Sequence, residues 1–275
     1  MWQWTSVTAA VIYMLVWTQL ATAQTTQPAT DNRPTIWIIG DSTVRVGTPK
    51  QQGWGDPFTQ LVQSDKVRVV NKAIGGRSSR TFRTEGRWKE ITDQLKPGDV
   101  VLMQFGHNDS IAPDNPDRPR GTLRGIGTET QDIIHPQTKK PETVYTYGWY
   151  MRQYVIEAKA KGATPVMVSL IPRCPRPADD KVFSPPASFP TDGYAAWAIE
   201  VAQQEGAPFI DLNQLVLKSY AGLTSKQIKE KYFTDSESDF THTGPGGAQH
   251  NAEVVLKALR DLNQPSINAL LPESK

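Results

Sequence analysis

Three residues that could take part in acyl transfer each follow a short hydrophobic run. Ser42 comes after the first run, Gly76 lies in the turn after the second, and Asn108 follows the third. A serine hydroxyl can attack an ester carbonyl, and backbone N–H groups or a carboxamide can stabilise the oxyanion that forms. The pattern indicates Ser42 as a candidate nucleophile. The candidate oxyanion donors are the N–H groups of Ser42 and Gly76 and the side-chain amide of Asn108.

A serine nucleophile needs a base, and the chain contains four histidines. His250 falls in a predicted helix, His135 lies in a long polar stretch, and His107 has no acidic residue placed as clearly to orient it. His242 follows Asp239 by three residues and precedes a glycine-rich turn, so the carboxylate and the imidazole can project to the same side. Asp239 would then fix the tautomer of His242 and stabilise its protonated form.

The order of these candidates along the chain, serine then aspartate then histidine, is that of the α/β-hydrolases. Those enzymes present the nucleophile in a G-x-S-x-G motif, which this sequence does not contain. A different design must therefore present Ser42. We expect the neighbouring Asp41 to support the turn by hydrogen bonding rather than to take part in the chemistry.

Five short hydrophobic segments alternate with amphipathic ones, which indicates parallel strands separated by helices. The predicted strands are Thr35–Ile39, Val67–Val70, Asp99–Phe105, Thr164–Ile171 and Pro208–Leu212, and the predicted helices are Trp54–Gln63, Trp88–Leu95, Tyr147–Lys161, Tyr194–Gln204 and Ala248–Leu262. Such a sheet is covered on both faces and binds ligands beyond the carboxyl ends of its strands. The pattern therefore predicts an α/β fold with the candidate residues gathered at one edge. Residues 111–146, polar and rich in proline and glycine, are predicted to be a functional loop.

Four sequence blocks resemble the SGNH (GDSL) hydrolases and occur in the order of that family. They are GDS at 40–42, a glycine pair at 75–76, GHND at 106–109 and DFTH at 239–242. Three further stretches, Gly53–Gly55, Asn71–Trp88 and Phe105–Asp109, look like the rhamnogalacturonan acetylesterases of that family. The blocks together span most of the chain, so the resemblance applies to one whole domain.

The resemblance implies a three-layer, flavodoxin-like fold with a five-stranded parallel sheet. It also implies a triad of Ser42, Asp239 and His242, an oxyanion hole from Ser42, Gly76 and Asn108, and no cofactor or metal. The implied substrate is an acetylated plant cell-wall polysaccharide, rhamnogalacturonan before others. Acetylated xylan or another ester of the family is the alternative, and the long connection at 111–146 departs from the compact members.

Arg77 and Trp54 are the candidate substrate-binding residues. Arg77 directly follows the glycine pair and could form bidentate hydrogen bonds to a uronate carboxylate, whereas Trp54 could stack on a sugar ring. Each has an alternative reading. Arg77 could belong to a solvated run of arginines paired with Glu85, and Trp54 could be a core side chain at a helix start.

Composition narrows the class of protein and its location. The chain has 275 residues and a net charge of +2, which suits one α/β domain and does not suggest a nucleic-acid binder. Its single cysteine excludes an intrachain disulfide. The predicted organisation is a signal peptide at 1–23, a linker at 24–33, a catalytic domain at 34–265 and a C-terminal tail at 266–275. The signal peptide rests on an uncharged apolar run followed by Ala21-Thr22-Ala23. We therefore expect a secreted or periplasmic monomer that does not contact the membrane after cleavage.

Two hypotheses from other classes remain open at this point. One is a metallophosphoesterase with Asp41, His107, Asp109, Asp239 and His242 as metal ligands. The other is a carbohydrate-binding protein that keeps the scaffold without catalysis. Loss of activity with a chelator would favour the first, and polysaccharide binding without acetate release would favour the second.

Overall fold

The computed structural model describes residues 1–2, 31–176, 181–187 and 192–273. Two compact units are distinguished, residues 1–32 and 33–275, and the described helices and strands all belong to the second. Residues 3–23 of the predicted signal peptide and residues 24–30 of the predicted linker lie outside the described residues. None of the helices in the described part of the chain is long and apolar enough to span a bilayer.

A parallel sheet of five strands forms the centre of the domain. Its strands are β1 (Thr35–Gly40), β2 (Arg68–Asn71), β3 (Val100–Gln104), β6 (Thr164–Val168) and β7 (Phe209–Ile210), and an antiparallel hairpin is formed by β4 (Thr130–Ile134) and β5 (Pro141–Tyr145). The order across the main sheet is β2-β1-β3-β6-β7, with every neighbouring pair parallel. This is the flavodoxin-like order, so the predicted fold class is confirmed.

Helices cover both faces of the sheet. They are α1 (Gly55–Val62), α2 (Ser79–Thr84), α3 (Arg87–Thr92), α4 (Tyr147–Ala160), α5 (Tyr194–Gln204), α6 (Leu212–Ser219), α7 (Ser225–Tyr232), α8 (Pro245–Asp261) and α9 (Pro265–Asn268). Alternate strand residues point to opposite faces, and both faces are apolar because both are buried. Ile36, Ile38, Val100 and Leu102 pack in one core cluster with α1 and α6 to α9, whereas Trp37, Ile39, Val101 and Met103 pack in the other with α2 to α5. The result is three layers.

The predicted strands are all present, and each predicted helix corresponds to an observed one with ends shifted by at most a few residues. The predictions missed four helices, α2, α6, α7 and α9. The segment 111–146, which we call the outer segment, was predicted to be a loop but contains the β4–β5 hairpin. Most hairpin residues are exposed, so they lack the hydrophobic run by which buried strands are recognised.

The predicted C-terminal boundary at residue 265 is wrong. Ile267 of α9 is fully buried, and Leu270 and Leu271 are 9% and 6% exposed in the same core cluster as α8. These side chains cover apolar surface that α8 would otherwise present to water. The segment at 266–271 is therefore part of the domain rather than a tail.

Candidate active site

Ser42 lies in a tight turn at the carboxyl end of β1, which we call the nucleophile turn (residues 40–44). Two backbone N–H groups further along the chain donate to the Asp41 carbonyl, at 3.1 and 3.0 Å, and close the turn. The Asp41 carboxylate accepts hydrogen bonds from the backbone N–H and the hydroxyl of Thr43, at 2.8 and 2.7 Å. The prediction that Asp41 supports this turn is confirmed. Ser42 itself is half-buried and lines a cleft.

A buried chain of hydrogen bonds connects the nucleophile turn to the core. The indole N–H of Trp54 donates to Oε1 of Gln104 at 2.8 Å, and the Gln104 amide donates to the Thr43 hydroxyl at 2.6 Å. Trp54 has no exposed surface, so it cannot stack on a sugar, and its prediction as a substrate-binding residue is wrong. It instead satisfies Gln104, a polar side chain in the otherwise apolar strand β3.

His242 joins Ser42 to Asp239. Its Nε2 lies 2.8 Å from the Ser42 hydroxyl oxygen, and its Nδ1 lies 2.9 Å from Oδ2 of Asp239. With the proton on Nδ1, the imidazole donates to the carboxylate and accepts from the serine, which is the arrangement needed for general-base activation. The amide of Gln51 also donates to Oδ2 of Asp239, at 2.9 Å, and this contact was not predicted.

Asp239 is held as a carboxylate by donors from its own turn. Its Oδ1 accepts hydrogen bonds from the backbone N–H groups of Thr241 and His242, both at 3.0 Å. Burial acts to raise the pKa of Asp239, but these two bonds and the contact with the His242 ring outweigh it, so the pKa lies below its usual value. An ionised Asp239 is what the imidazolium formed during catalysis requires.

The loop that bears His242 is fixed between α7 and α8. The carbonyl of His242 accepts from the backbone N–H of Thr234, at 3.2 Å, just after α7. Thr243 is paired with Gln52 in both directions: the Gln52 N–H donates to its carbonyl at 2.9 Å, and its hydroxyl donates to the Gln52 carbonyl at 2.7 Å. Helix α7, which the sequence analysis did not predict, therefore helps to position His242. The segment before α1 contributes as well, because Gln51 contacts Asp239 and Gln52 contacts Thr243.

The two further candidate oxyanion donors lie next to each other. Gly76 adopts a φ of +79°, which a residue with a side chain rarely adopts. A β-carbon there would also lie 2.8 Å from a guanidinium nitrogen of Arg120. The Asn108 amide donates to the Arg77 carbonyl at 3.0 Å, and its oxygen accepts from Arg120 at 3.3 Å. These two contacts fix the orientation of the Asn108 amide and leave its second N–H available to a ligand.

A cleft of about 590 Å³ brings the candidate residues together. It is lined by Ser42, Val46, Gly47, Thr48, Gln51, Ile74, Gly75, Gly76, Asn108, Arg118, Arg120 and His242. The carboxyl ends of β1, β2 and β3 thus converge as the parallel sheet predicts. The lining of the cleft also includes two arginines of the outer segment, Arg118 and Arg120, which the sequence patterns did not single out.

Arg77 does not line this cleft. Its side chain binds Glu85 at 3.0 Å and the Gly75 carbonyl at 3.1 Å. It contributes to a smaller cavity of about 150 Å³, which shares Gly76 and Arg120 with the cleft. A role for Arg77 in substrate binding stays a prediction, and its pairing with Glu85 matches the alternative reading.

His107 and Asp109 are buried and do not line the cleft. Burial lowers the pKa of His107 to about 4, so the ring is neutral near pH 7. Burial raises the pKa of Asp109 to about 7, against the hydrogen bonds that it accepts from the N–H and hydroxyl of Ser79. Asp109 therefore anchors the start of α2, next to the glycine pair, rather than facing the cleft.

The remaining candidates do not form a second site. His250 lies on α8, where its Nε2 is 2.8 Å from the Ser219 hydroxyl, which itself donates to the Val216 carbonyl at 2.7 Å. This pair therefore joins α6 to α8. Within the described ranges, no three or more His, Cys, Asp or Glu side chains are grouped so as to hold a metal ion. The five ligands considered for a metallophosphoesterase are thus not gathered at one point.

Most of the chain matches a known protein family. The profile of the GDSL-like lipase/acylhydrolase family matches residues 38–250. A rhamnogalacturonan acetylesterase of Emericella nidulans is 32% identical over 225 residues, which are 82% of this chain and 84% of that protein. A probable rhamnogalacturonan acetylesterase of Bacillus subtilis, YesY, is 33% identical over 244 residues, which are 86% and 98% of the two chains.

The chain therefore belongs to the GDSL-like lipase/acylhydrolase family. It is a carboxylic ester hydrolase. The predicted family is confirmed.

Solved structures show the same fold. YxiM of Bacillus subtilis superimposes with a TM-score of 0.65 at 25% identity, over 85% of this chain and 58% of that one. This chain thus spans a little over half of the YxiM structure. Axe2, an acetylxylan esterase of Geobacillus stearothermophilus, superimposes with a TM-score of 0.52 at 16% identity, over 85% and 95% of the two chains.

Proposed function

We propose that this protein is a secreted serine esterase that removes acetyl groups from a plant cell-wall polysaccharide, with rhamnogalacturonan as the preferred polymer. The observation that supports it most is the hydrogen-bonded series Ser42, His242 and Asp239 at the wall of an open cleft. Relatives with 32% and 33% identity over most of the chain bear the name rhamnogalacturonan acetylesterase. The polymer is inferred from these relatives, whereas the chemistry is inferred from the geometry.

The first half-reaction forms an acyl-enzyme. The Ser42 oxygen attacks the acetyl carbonyl while its proton passes to Nε2 of His242, and Asp239 stabilises the imidazolium. The oxyanion is held by the N–H groups of Ser42 and Gly76 and by the free N–H of Asn108. The tetrahedral intermediate then collapses, the bond to the sugar oxygen breaks, and His242 returns its proton to that oxygen.

The second half-reaction releases acetate. Water attacks the acyl-enzyme carbonyl as His242 takes one of its protons, and the same three donors hold the second oxyanion. Collapse breaks the bond to the Ser42 oxygen, which regains its proton from His242. The enzyme returns to its starting state, and the whole cycle moves protons only between Ser42, His242, water and the sugar.

An open cleft suits a polymer better than an enclosed pocket would, because a chain must pass beyond both sides of the acetylated sugar. The experiment that tests the substrate measures the release of acetate from acetylated rhamnogalacturonan, acetylated homogalacturonan and acetylated xylan. Preference for the first supports the proposed substrate, and preference for xylan contradicts it. Absence of acetate from all three, with retained polysaccharide binding, would establish the non-catalytic alternative instead.

Export is proposed from the sequence of the amino terminus. The apolar run at 9–17 and Ala21-Thr22-Ala23 suit a signal peptide cleaved after Ala23. Amino-terminal sequencing of protein recovered from the periplasm or the medium tests this. A mature chain that begins at Gln24 supports export, and a chain that retains Met1 in the cytosolic fraction contradicts it.

A further inference from the structure

Two arginines of the outer segment, Arg118 and Arg120, line the same cleft as Ser42. We call them the arginine pair. A backbone hydrogen bond of 2.7 Å between their own peptide groups closes the chain around Pro119 and keeps the two residues together. Arg120 is half-buried, and Arg118 is exposed at the rim.

The backbone of the arginine pair is anchored by α2 and the residue before it. The Ser78 hydroxyl donates to the Arg120 carbonyl at 2.5 Å. Arg80, a side chain with no exposed surface, donates to the Pro119 carbonyl at 2.5 Å and to the Pro113 carbonyl at 3.2 Å. Because a buried guanidinium binds the carbonyl between the two arginines and a second carbonyl that precedes them, it fixes the backbone of that segment. The arginine pair is therefore held in a defined position at the cleft.

The guanidinium of Arg120 lies against the candidate oxyanion donors. It occupies the space that a side chain at position 76 would need, and it donates to the Asn108 amide oxygen at 3.3 Å. That contact engages one nitrogen of a group with five N–H donors, so further donors remain to be satisfied. Arg120 lines both the cleft and the smaller cavity, but only the cleft is lined by both arginines and by Ser42.

The arginine pair also differs from the neighbouring arginines in its lack of a carboxylate partner among the described residues. Arg77 and Arg87 both bind Glu85, Arg83 binds Glu157, and Arg80 faces Glu142. Within the described residues, no carboxylate oxygen lies within ion-pair distance of either member of the pair. Burial lowers the pKa of Arg120 most, the positive charges of Arg118 and then Arg77 lower it further, and the attraction of Glu85 acts in the opposite direction. Positive charge therefore accumulates at the arginine pair without close compensation.

We infer that Arg118 and Arg120 bind a carboxylate of the substrate chain, on a uronic acid at or next to the sugar whose acetyl group Ser42 attacks. Arginine suits this because its planar fork matches a carboxylate in two parallel hydrogen bonds. A carboxylate would accept two of the remaining N–H donors of Arg120 and relieve the repulsion between like charges. This inference rests on the proposed function and specifies the polymer chemically, as an acidic one.

The test compares two substrates that differ only at the carboxyl groups of the uronic acid. One is an acetylated oligosaccharide that contains galacturonate, and the other is the same oligosaccharide after reduction of its carboxyl groups to alcohols. The measured quantity is the ratio of kcat/KM for the acidic substrate to that for the neutral one. Arg118→Gln is expected to lower this ratio about tenfold, and the double variant Arg118→Gln/Arg120→Gln is expected to lower it further.

Arg124→Gln provides the matched control. This arginine lies six residues beyond Arg118, is exposed, and pairs with Asp192 over the ring of Trp197, outside the cleft lining. It removes the same net charge and should leave the ratio unchanged. Higher ionic strength should reduce the wild-type preference, because screening weakens attraction between partly exposed charges.

Two outcomes of this kinetic comparison overturn the inference. If the variants lower kcat/KM equally on both substrates, the arginine pair acts on the reaction centre, through Asn108, and not on a carboxylate. If Arg124→Gln lowers the ratio as much as Arg118→Gln does, the effect is general charge. Because Arg118 is exposed, its variant should remain folded, and unchanged thermal unfolding would verify this.

The proposed function and the inference can fail separately. If the wild-type protein releases acetate from neither substrate, the proposed function is wrong. Calorimetric titration of Ser42→Ala protein with the deacetylated galacturonate oligosaccharide then decides the inference without catalysis. Binding that Arg118→Gln weakens about tenfold supports it, and equal binding of the carboxyl-reduced oligosaccharide overturns it.

Discussion

The nucleophile turn and the outer segment border the same cleft, but different interactions hold them. The turn is fixed from within: Asp41, Thr43, Gln104 and Trp54 are each at most 1% exposed and bonded in series. The outer segment is largely exposed and is held mainly through its backbone, by side chains such as Ser78 and Arg80.

This difference separates two requirements of an esterase. The reacting hydroxyl must keep one position to within a fraction of an ångström, and a buried network connected to the sheet can provide that. Recognition of the polymer depends on an exterior surface, which can change without disturbing the core. Changes at the turn should therefore affect turnover or folding strongly, and changes in the outer segment should affect substrate choice or little at all.

The largest expected effect is that of Ser42→Ala. Removal of the nucleophile should lower kcat by on the order of 10⁴ or more on any acetyl ester. The measurement is steady-state hydrolysis of p-nitrophenyl acetate together with the burst of nitrophenol that reports an acyl-enzyme. A retained burst would assign the nucleophile to another residue.

Asn108→Ala should have the next largest effect. Loss of one oxyanion donor is expected to lower kcat by about 10²–10³, since that contact strengthens as the oxyanion forms. Its effect on KM should be small. Steady-state measurement of kcat and KM distinguishes a loss of transition-state stabilisation from a loss of substrate binding. A variant with wild-type turnover would remove Asn108 from the oxyanion hole and leave only the two backbone donors.

Much of this arrangement could be predicted from the sequence, and the reasons are local. Continuous apolar runs indicated the strands, and the residues directly after β1, β2 and β3 had to meet because parallel strands end at one edge. The helix α7 was missed because only three of its eight residues are buried, so its pattern is mostly polar. Gln51 and the arginine pair join the site through contacts between distant segments, for which no local pattern exists.

Trp54 shows where residue type alone misleads. A tryptophan serves equally well in a core or on a sugar-binding surface, so its type did not decide between them. A usable signal lay elsewhere, in Gln104 at the end of the apolar strand VVLMQ. A glutamine buried there requires polar partners, and Trp54 and Thr43 are those partners.

Trp54→Phe tests how much the buried network behind the nucleophile turn contributes to stability. The change leaves Oε1 of Gln104 without its donor and removes part of a buried ring, so we expect the free energy of unfolding to fall by about 2–3 kcal/mol. Urea unfolding measures this. Trp149→Phe is the matched control, because Trp149 is half-buried and stacks on Tyr145 of the outer segment at 3.9 Å. Equal losses at the two positions would contradict the comparison.

Asp109 gives a test with a defined sign in pH. Its folded-state pKa is raised to about 7 from 3.8, so between these values the folded state holds a proton that the unfolded state has lost. That contribution to stability is present below about pH 4 and is lost as the pH rises toward 7. The wild-type protein should therefore lose stability relative to Asp109→Asn over this range, as followed by urea unfolding at several pH values. A difference independent of pH would show that Asp109 is ionised in both states.

The smallest effect is expected at Ile134, the last residue of β4 before the turn of the hairpin. Ile134 on β4 is 60% exposed, so Ile134→Thr removes little buried apolar surface and keeps a β-branched residue in the strand. We expect a change of at most about 0.5 kcal/mol in the free energy of unfolding and no change in hydrolysis of p-nitrophenyl acetate. Its informative readout is the polymer: acetate release from acetylated rhamnogalacturonan would fall only if the apolar side chain contacts the substrate. A large loss of stability would instead show that the hairpin supports the core, and the division between a rigid turn and a replaceable outer segment would then be wrong.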